Sequence, residues 1–135
     1  MVSLQNSFFC LHHIPQIKKA LGISGVLANV YSWSFRPFVD ATGAEWRGGQ
    51  IDMLIDRADG AINICEMKYA KDEFVIDAGY EQRLRDRLSS FSVATKTKKA
   101  LLHTFITTYG VKQNMHSGLV NSEVRMNDLF EKANT

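Results

Sequence analysis

Apolar residues recur at Leu4, Phe8, Leu11, Ile14, Ile17 and Leu21, in steps of three or four that predict one face of a helix. Pro15 cannot donate a backbone hydrogen bond, so it kinks this helix or opens a second short one at its first turn, with Gly22 placed to end it. Val26 to Arg36 is rich in Val, Tyr, Trp and Phe with partial alternation, which predicts a strand, and a polar loop follows from Asp40 to Gly49. Gln50 to Arg57 and Ala61 to Tyr69 then form two predicted strands joined by Ala58-Asp59-Gly60, a hairpin loop with glycine where a left-handed backbone is needed. If Arg57 faces Ala61 across that loop, residues whose numbers sum to 118 lie opposite one another. Asp52 then faces Glu66, Gln50 faces Lys68 and Leu54 faces Ile64. The other side of the hairpin carries Ile51, Met53, Ile55, Cys65 and Met67 and reads as core.

After a polar link containing Lys71, Asp72 and Glu73, Asp77 can cap a helix whose apolar stripe is Tyr80, Leu84, Leu88 and Phe91. Ala100 to Tyr109 is apolar enough on both faces to sit centrally in a sheet, and Gly110 closes it. Val120 to Met126 alternates as a half-buried strand does, before Asp128-Leu129-Phe130 and a polar tail. The predicted order is helix, three strands, helix, two strands, an α/β (α+β) chain without internal repeat.

Composition adds little to that outline. With 135 residues and 45% hydrophobic content, the expectation is one domain over 1-135, burying roughly two thirds of its unfolded surface. A net charge of +2 does not by itself mark a nucleic-acid binder. Cys10 and Cys65 lie far apart with no secretory leader before them, which predicts a reduced, cytoplasmic setting. No apolar run is long enough to predict a membrane span, and no Gly-rich phosphate loop ends in Lys-Ser or Lys-Thr.

The chemistry sits on the hairpin. Alternation puts Glu66 and Lys68 on one face, and the register adds Asp52 opposite Glu66. Two carboxylates about 5 Å apart at their β-carbons repel unless a cation lies between them. Hard oxygen ligands with open water positions suit Mg²⁺ or Mn²⁺, and the backbone carbonyl of Met67 can supply another ligand. Such a set fits phosphodiester hydrolysis, with Lys68 orienting water or steadying developing negative charge. A plainer reading makes Asp52 and Lys68 a cross-strand ion pair on a solvated face, worth about 0.5 kcal/mol. From the residues alone the two readings stand level.

The pattern Gln50-Ile51-Asp52, a hairpin, then Glu66-Met67-Lys68 resembles the PD-(D/E)xK nuclease signature. More closely, His13 to Ile23, Gly48 to Asp77 and Thr95 to Gly110 resemble the C-terminal domain of a prokaryotic family of AAA+-type ATPases. The resemblance implies a restriction-endonuclease-like core, a mixed sheet flanked by helices, and a metal-dependent DNA endonuclease. Asp52, Glu66 and Lys68 would be its catalytic residues, with Asp52, Glu66 and Met67 around Mg²⁺ or Mn²⁺. DNA is the implied partner, an ATPase domain or subunit a further one, and a homodimer stays open. The ATPase region of those relatives has no counterpart here, so the chain reads as a detached or truncated domain. The nuclease superfamily also often places a glutamate on the first helix as an extra metal ligand, and the matching stretch here, Leu4-Gln5-Asn6-Ser7, has no carboxylate. The alternative is therefore a catalytically inactive module that docks DNA or an ATPase.

Gln50, Gln82, Arg83, Lys96, Lys98 and Lys99 are the candidate nucleic-acid contacts, with Arg85 and Arg87 beside them on a helix face that reads mostly as solvated. His12, His13, His103 and His116 lack zinc-site spacing, and His103 is expected to border the core. Tyr31, Trp33 and Trp46 are read as packing aromatics before base-stacking ones.

Overall fold

A computed structural model of the chain describes residues 12–130. The stretch from Leu4 to Leu11, including the positions that lack the first-helix carboxylate, lies outside the described residues. Helix α1 covers Ile14–Ala20, with Pro15 in its first turn and Gly22 just beyond its end at φ +73°. Its Ile17 is fully buried.

Strands β1 (Ala28–Phe35), β4 (Gly49–Arg57) and β5 (Ala61–Lys68) form an antiparallel meander, and a parallel crossover through helix α2 (Ala78–Thr95) leads to β6 (Ala100–Thr107). Strand β7 (Ser122–Arg125) adds in parallel to β6, giving the order β1-β4-β5-β6-β7. The mixed sheet flanked by helices agrees with the predicted core. Asp77 caps α2 by accepting from Tyr80 N at 2.8 Å, and Lys96 leaves the helix in the left-handed region at φ 54°.

One face of the sheet buries Met53, Ile55, Cys65, Met67, Ile106 and Val124 against Ile17 and Leu129. The α2 face buries Leu54, Ile62 and Ile64 against Phe91 at one end, and Phe105 against Leu84 and Ile76 at the other. The hairpin follows the expected register over Met53–Cys65, Leu54–Ile64, Ile55–Asn63 and Asp56–Ile62, each pair summing to 118.

Three expectations are corrected. Ile51 packs with Leu54, Ile64 and Phe91, on the α2 side rather than with Met53. The cause is a β-bulge: Tyr31 pairs with Leu54 but Trp33 pairs with Ile51, so Asp52 and Met53 together oppose Ser32. The expected polar loop also holds a small hairpin, β2 (Phe38–Val39) with β3 (Glu45–Trp46). Asp40 organises its turn, accepting from Thr42 N at 2.8 Å, Ala44 N at 3.0 Å and Trp46 Nε1 at 2.9 Å, while Phe38 stacks on Trp46. Finally, the last strand stops at Arg125, and helix α3 (Met126–Phe130) begins at Met126. Asp128 accepts from Arg125 N at 2.9 Å, satisfying a donor the strand would otherwise have used.

Among the described residues no helix is long and apolar enough to cross a membrane.

Candidate functional site

At the open end of the β4–β5 hairpin, Gln50, Asp52, Glu66 and Lys68 line a cleft of about 320 Å³ together with Tyr80, Arg83, Leu84 and Arg87 of α2. The bulge places Asp52 where the regular ladder ends, and bulges recur beside active sites because they re-aim a side chain. The paired register stops at Met53–Cys65, one step short of the Asp52–Glu66 pair expected from the loop, yet both carboxylates reach the same cleft.

Glu66 is buried at 5% exposure on a strand whose other residues are nearly all core. A carboxylate there needs compensation. Arg87 supplies it, its guanidinium forming an ion pair with Glu66 Oε1 and donating to the Gln50 carbonyl at 3.2 Å. Tyr80 donates a long hydrogen bond of 3.5 Å to Glu66 Oε2. Burial, and next the neighbouring Glu66 charge, push the Tyr80 hydroxyl far above its ordinary range, so it remains a donor.

Lys68 is half-buried and makes no ion pair with a carboxylate among the described residues. Its ammonium lies 5.1 Å from the Tyr80 ring centroid and 5.8 Å from that of Phe74, within cation–π range. The plainer alternative, an Asp52–Lys68 cross-strand ion pair, is thus not formed. Asp52 instead accepts from the Gln50 amide at 3.3 Å. The Met67 side chain is buried in the opposite core, so only its backbone can serve the cleft.

The other sequence candidates scatter. Arg83 lines the cleft, its guanidinium 5.5 Å from the Tyr80 ring centroid. Gln82 points along the exposed helix face to Asp86 at 2.9 Å. Lys96, Lys98 and Lys99 follow the far end of α2, and Lys99 pairs with Asp56 at 2.6 Å near the hairpin turn, away from Glu66. His103 is buried as expected, with neither ring nitrogen hydrogen-bonded. Its burial, followed by the charges of Arg87 and Arg85, pushes its pKa down to about 4. Trp33 packs edge-on against Phe91, whereas Tyr31 is exposed rather than packed.

Sequence reasoning took Tyr80 only as part of the apolar stripe and named Arg87 only among arginines of a mostly solvated helix face, yet both belong to the site. The signal was helical spacing: Arg87 falls seven positions after Tyr80 and three after Leu84, inside the apolar stripe rather than on the solvated face.

No protein-family model, curated protein or solved structure matches this chain.

Proposed function

We propose that this cleft hydrolyses phosphodiester bonds in DNA with the help of a divalent metal ion. One observation carries the reading: Asp52, Glu66 and Lys68 line a single cleft beside Arg83 and Arg87, two carboxylates among three cations. Among the described residues no three His, Cys, Asp or Glu side chains gather as a metal centre, and the carboxylates that line this cleft are two, Asp52 and Glu66. That number suits Mg²⁺ or Mn²⁺, which take one or two carboxylates and fill the remaining positions with water and substrate phosphate.

Asp52 and Glu66 would hold the ion with the Met67 carbonyl. When bound, it would polarise a phosphate oxygen and lower the pKa of water. The residues of the chain do the rest. Lys68 carries a cation that no carboxylate pairs among the described residues, so it can orient the attacking water and steady negative charge as it develops. Arg83 presents a planar guanidinium suited to gripping phosphate oxygens, while Arg87 is held by Glu66 and the Gln50 carbonyl. The Tyr80 ring lies within cation–π range of the Lys68 ammonium, and its hydroxyl donates to Glu66.

Purified protein incubated with plasmid or branched DNA and Mg²⁺ or Mn²⁺, beside Asp52→Ala and Lys68→Ala, tests this. Cleavage by the parent and its loss in both variants is expected, and equal cleavage by all three refutes the assignment.

A second reading, a non-catalytic module that docks DNA or an ATPase, is favoured by the engagement of both Glu66 oxygens with Arg87 and Tyr80. Calorimetric titration with Mn²⁺ separates the two. Binding that disappears in Asp52→Ala supports the hydrolase, and absence of metal binding with retained DNA binding supports the module.

A further inference from the structure

The cleft does not end at Arg87. A second cleft of about 220 Å³ adjoins it, sharing Arg83 and Arg87 and adding Arg47, Gly48, Gly49 and Asp86. Arg47 and Gly48 in turn line a third cleft together with Phe38, Glu45 and Trp46 of the small hairpin. The shared residues make one groove leading from the carboxylates to the β2–β3 hairpin.

Two glycines along it are closely packed. A β-carbon on Gly48 would lie 2.5 Å from the Phe35 carbonyl oxygen, and one on Gly49 would lie 3.1 Å from Arg87 Cγ. Gly49 thus lets the Arg87 stem lie close against the strand, which aims its guanidinium at Gln50 and Glu66. Arg47, Arg83 and Arg87 line the second cleft with one carboxylate, Asp86, which accepts from Gln82 Nε2, while the Arg87 guanidinium is paired with Glu66. Among the described residues neither Arg47 nor Arg83 makes an ion pair, and both are exposed. The guanidiniums of Arg47 and Arg83, which no carboxylate pairs among the described residues, complement a chain of phosphates, which they can contact in bidentate fashion.

We propose that Arg87, Arg83 and Arg47 form a track for one strand of DNA, carrying its phosphates away from the scissile position toward the β2–β3 hairpin. The proposal rests on the reading of the adjoining cleft as a phosphodiester site. A nucleic acid fits better than an acidic peptide because the track is continuous with that cleft and ends at the stacked Phe38 and Trp46, aromatic surfaces of the kind bases stack on.

The test is fluorescence anisotropy of a labelled DNA oligonucleotide bound to the full chain in EDTA across a salt titration. Arg47→Gln and Arg83→Gln change exposed side chains, and their folding is checked by circular dichroism. Each is expected to weaken binding about fivefold or more at low salt and to lower the slope of log affinity against log salt by about 1. Lys19→Gln, on α1 across the sheet, is expected to stay within about twofold of the parent. Parental affinity and slope in both arginine variants would overturn the track. Preferential binding of polyglutamate over DNA would overturn it as well. The assay is repeated in an Asp52→Ala background, where the arginine-dependent slope is expected to persist. Failure of the parent chain itself to hydrolyse DNA, with that slope intact, would refute the hydrolase reading and leave the track standing.

Discussion

At its turn end the β4–β5 hairpin pairs its charges. Lys99 Nζ lies 2.6 Å from Asp56 Oδ1, and Arg57 Nη2 lies 2.7 Å from Asp59 Oδ2 while Nη1 reaches Asn63. At its open end the same two strands treat charge differently. Asp52 has an amide for a neighbour and Lys68 has aromatic rings, and neither makes an ion pair among the described residues. Folding alone explains the turn end, where each charge is compensated in place. It does not explain the open end, where half-buried charges stand near partners they do not meet, the kind of local inconsistency that functional sites carry.

The sharpest way to break this comparison is to remove Arg87. In Arg87→Ala, Glu66 keeps its burial and loses its cation, and the expected loss of stability in urea unfolding is about 2–3 kcal/mol, reduced from a fully buried case because Arg87 reaches solvent. Lys99→Ala at the turn end is expected to cost less than about 1 kcal/mol, since that pair is only half-buried and reaches solvent more than Arg87–Glu66 does. Equal losses would mean that the two ends are held alike.

Comparable in size is the pH response of His103, which packs on the α2 face near Arg87. Its pKa is depressed in the fold from 6.5 to about 4, so the unfolded chain binds more protons between those values. Stability therefore falls as pH drops through that window, by on the order of 2–3 kcal/mol. His103→Leu is expected to flatten this part of the profile of Tm against pH. An unchanged slope would show that the acid sensitivity arises elsewhere.

Gly48→Ala drives a β-carbon toward a backbone oxygen of β1 and is expected to cost about 1–3 kcal/mol by thermal melting, with the loss centred on the open end. The smallest effect is expected at the β2–β3 hairpin. Hydrogen bonds from Thr42 and then Trp46 hold the Asp40 carboxyl down at about 2, so its contribution is present above about pH 4 and fades as pH falls through 2. Asp40→Ala in a Trp33→Phe background is expected to red-shift Trp46 fluorescence with little change in Tm.

Much of this was legible in the chain. The Ala58-Asp59-Gly60 loop gave the register of the hairpin because loop length and strand period together leave one alignment. Asp77 was legible as a cap and Pro15 as a first-turn residue because each acts within a few positions of itself. What escaped was non-local. The bulge at Asp52 and Met53 depends on how β1 pairs across the sheet, so alternation misassigned Ile51. The β2–β3 hairpin depends on one side chain, Asp40, satisfying several donors at once. Arg87 looked like surface because it is charged, and only burial of Glu66 opposite makes its place on the apolar stripe meaningful. The chemistry assigned to Asp52, Glu66 and Lys68 still rests on their grouping and on resemblance.

The most direct measurement is single-turnover DNA cleavage in Mg²⁺ by the parent, by Asp52→Asn at the open end and by Asp56→Asn at the turn end. Loss of about 100-fold or more in Asp52→Asn, with Asp56→Asn within about threefold of the parent, is the predicted result. Equal rates in Asp52→Asn and the parent, or no metal-dependent cleavage by the parent at all, would contradict it.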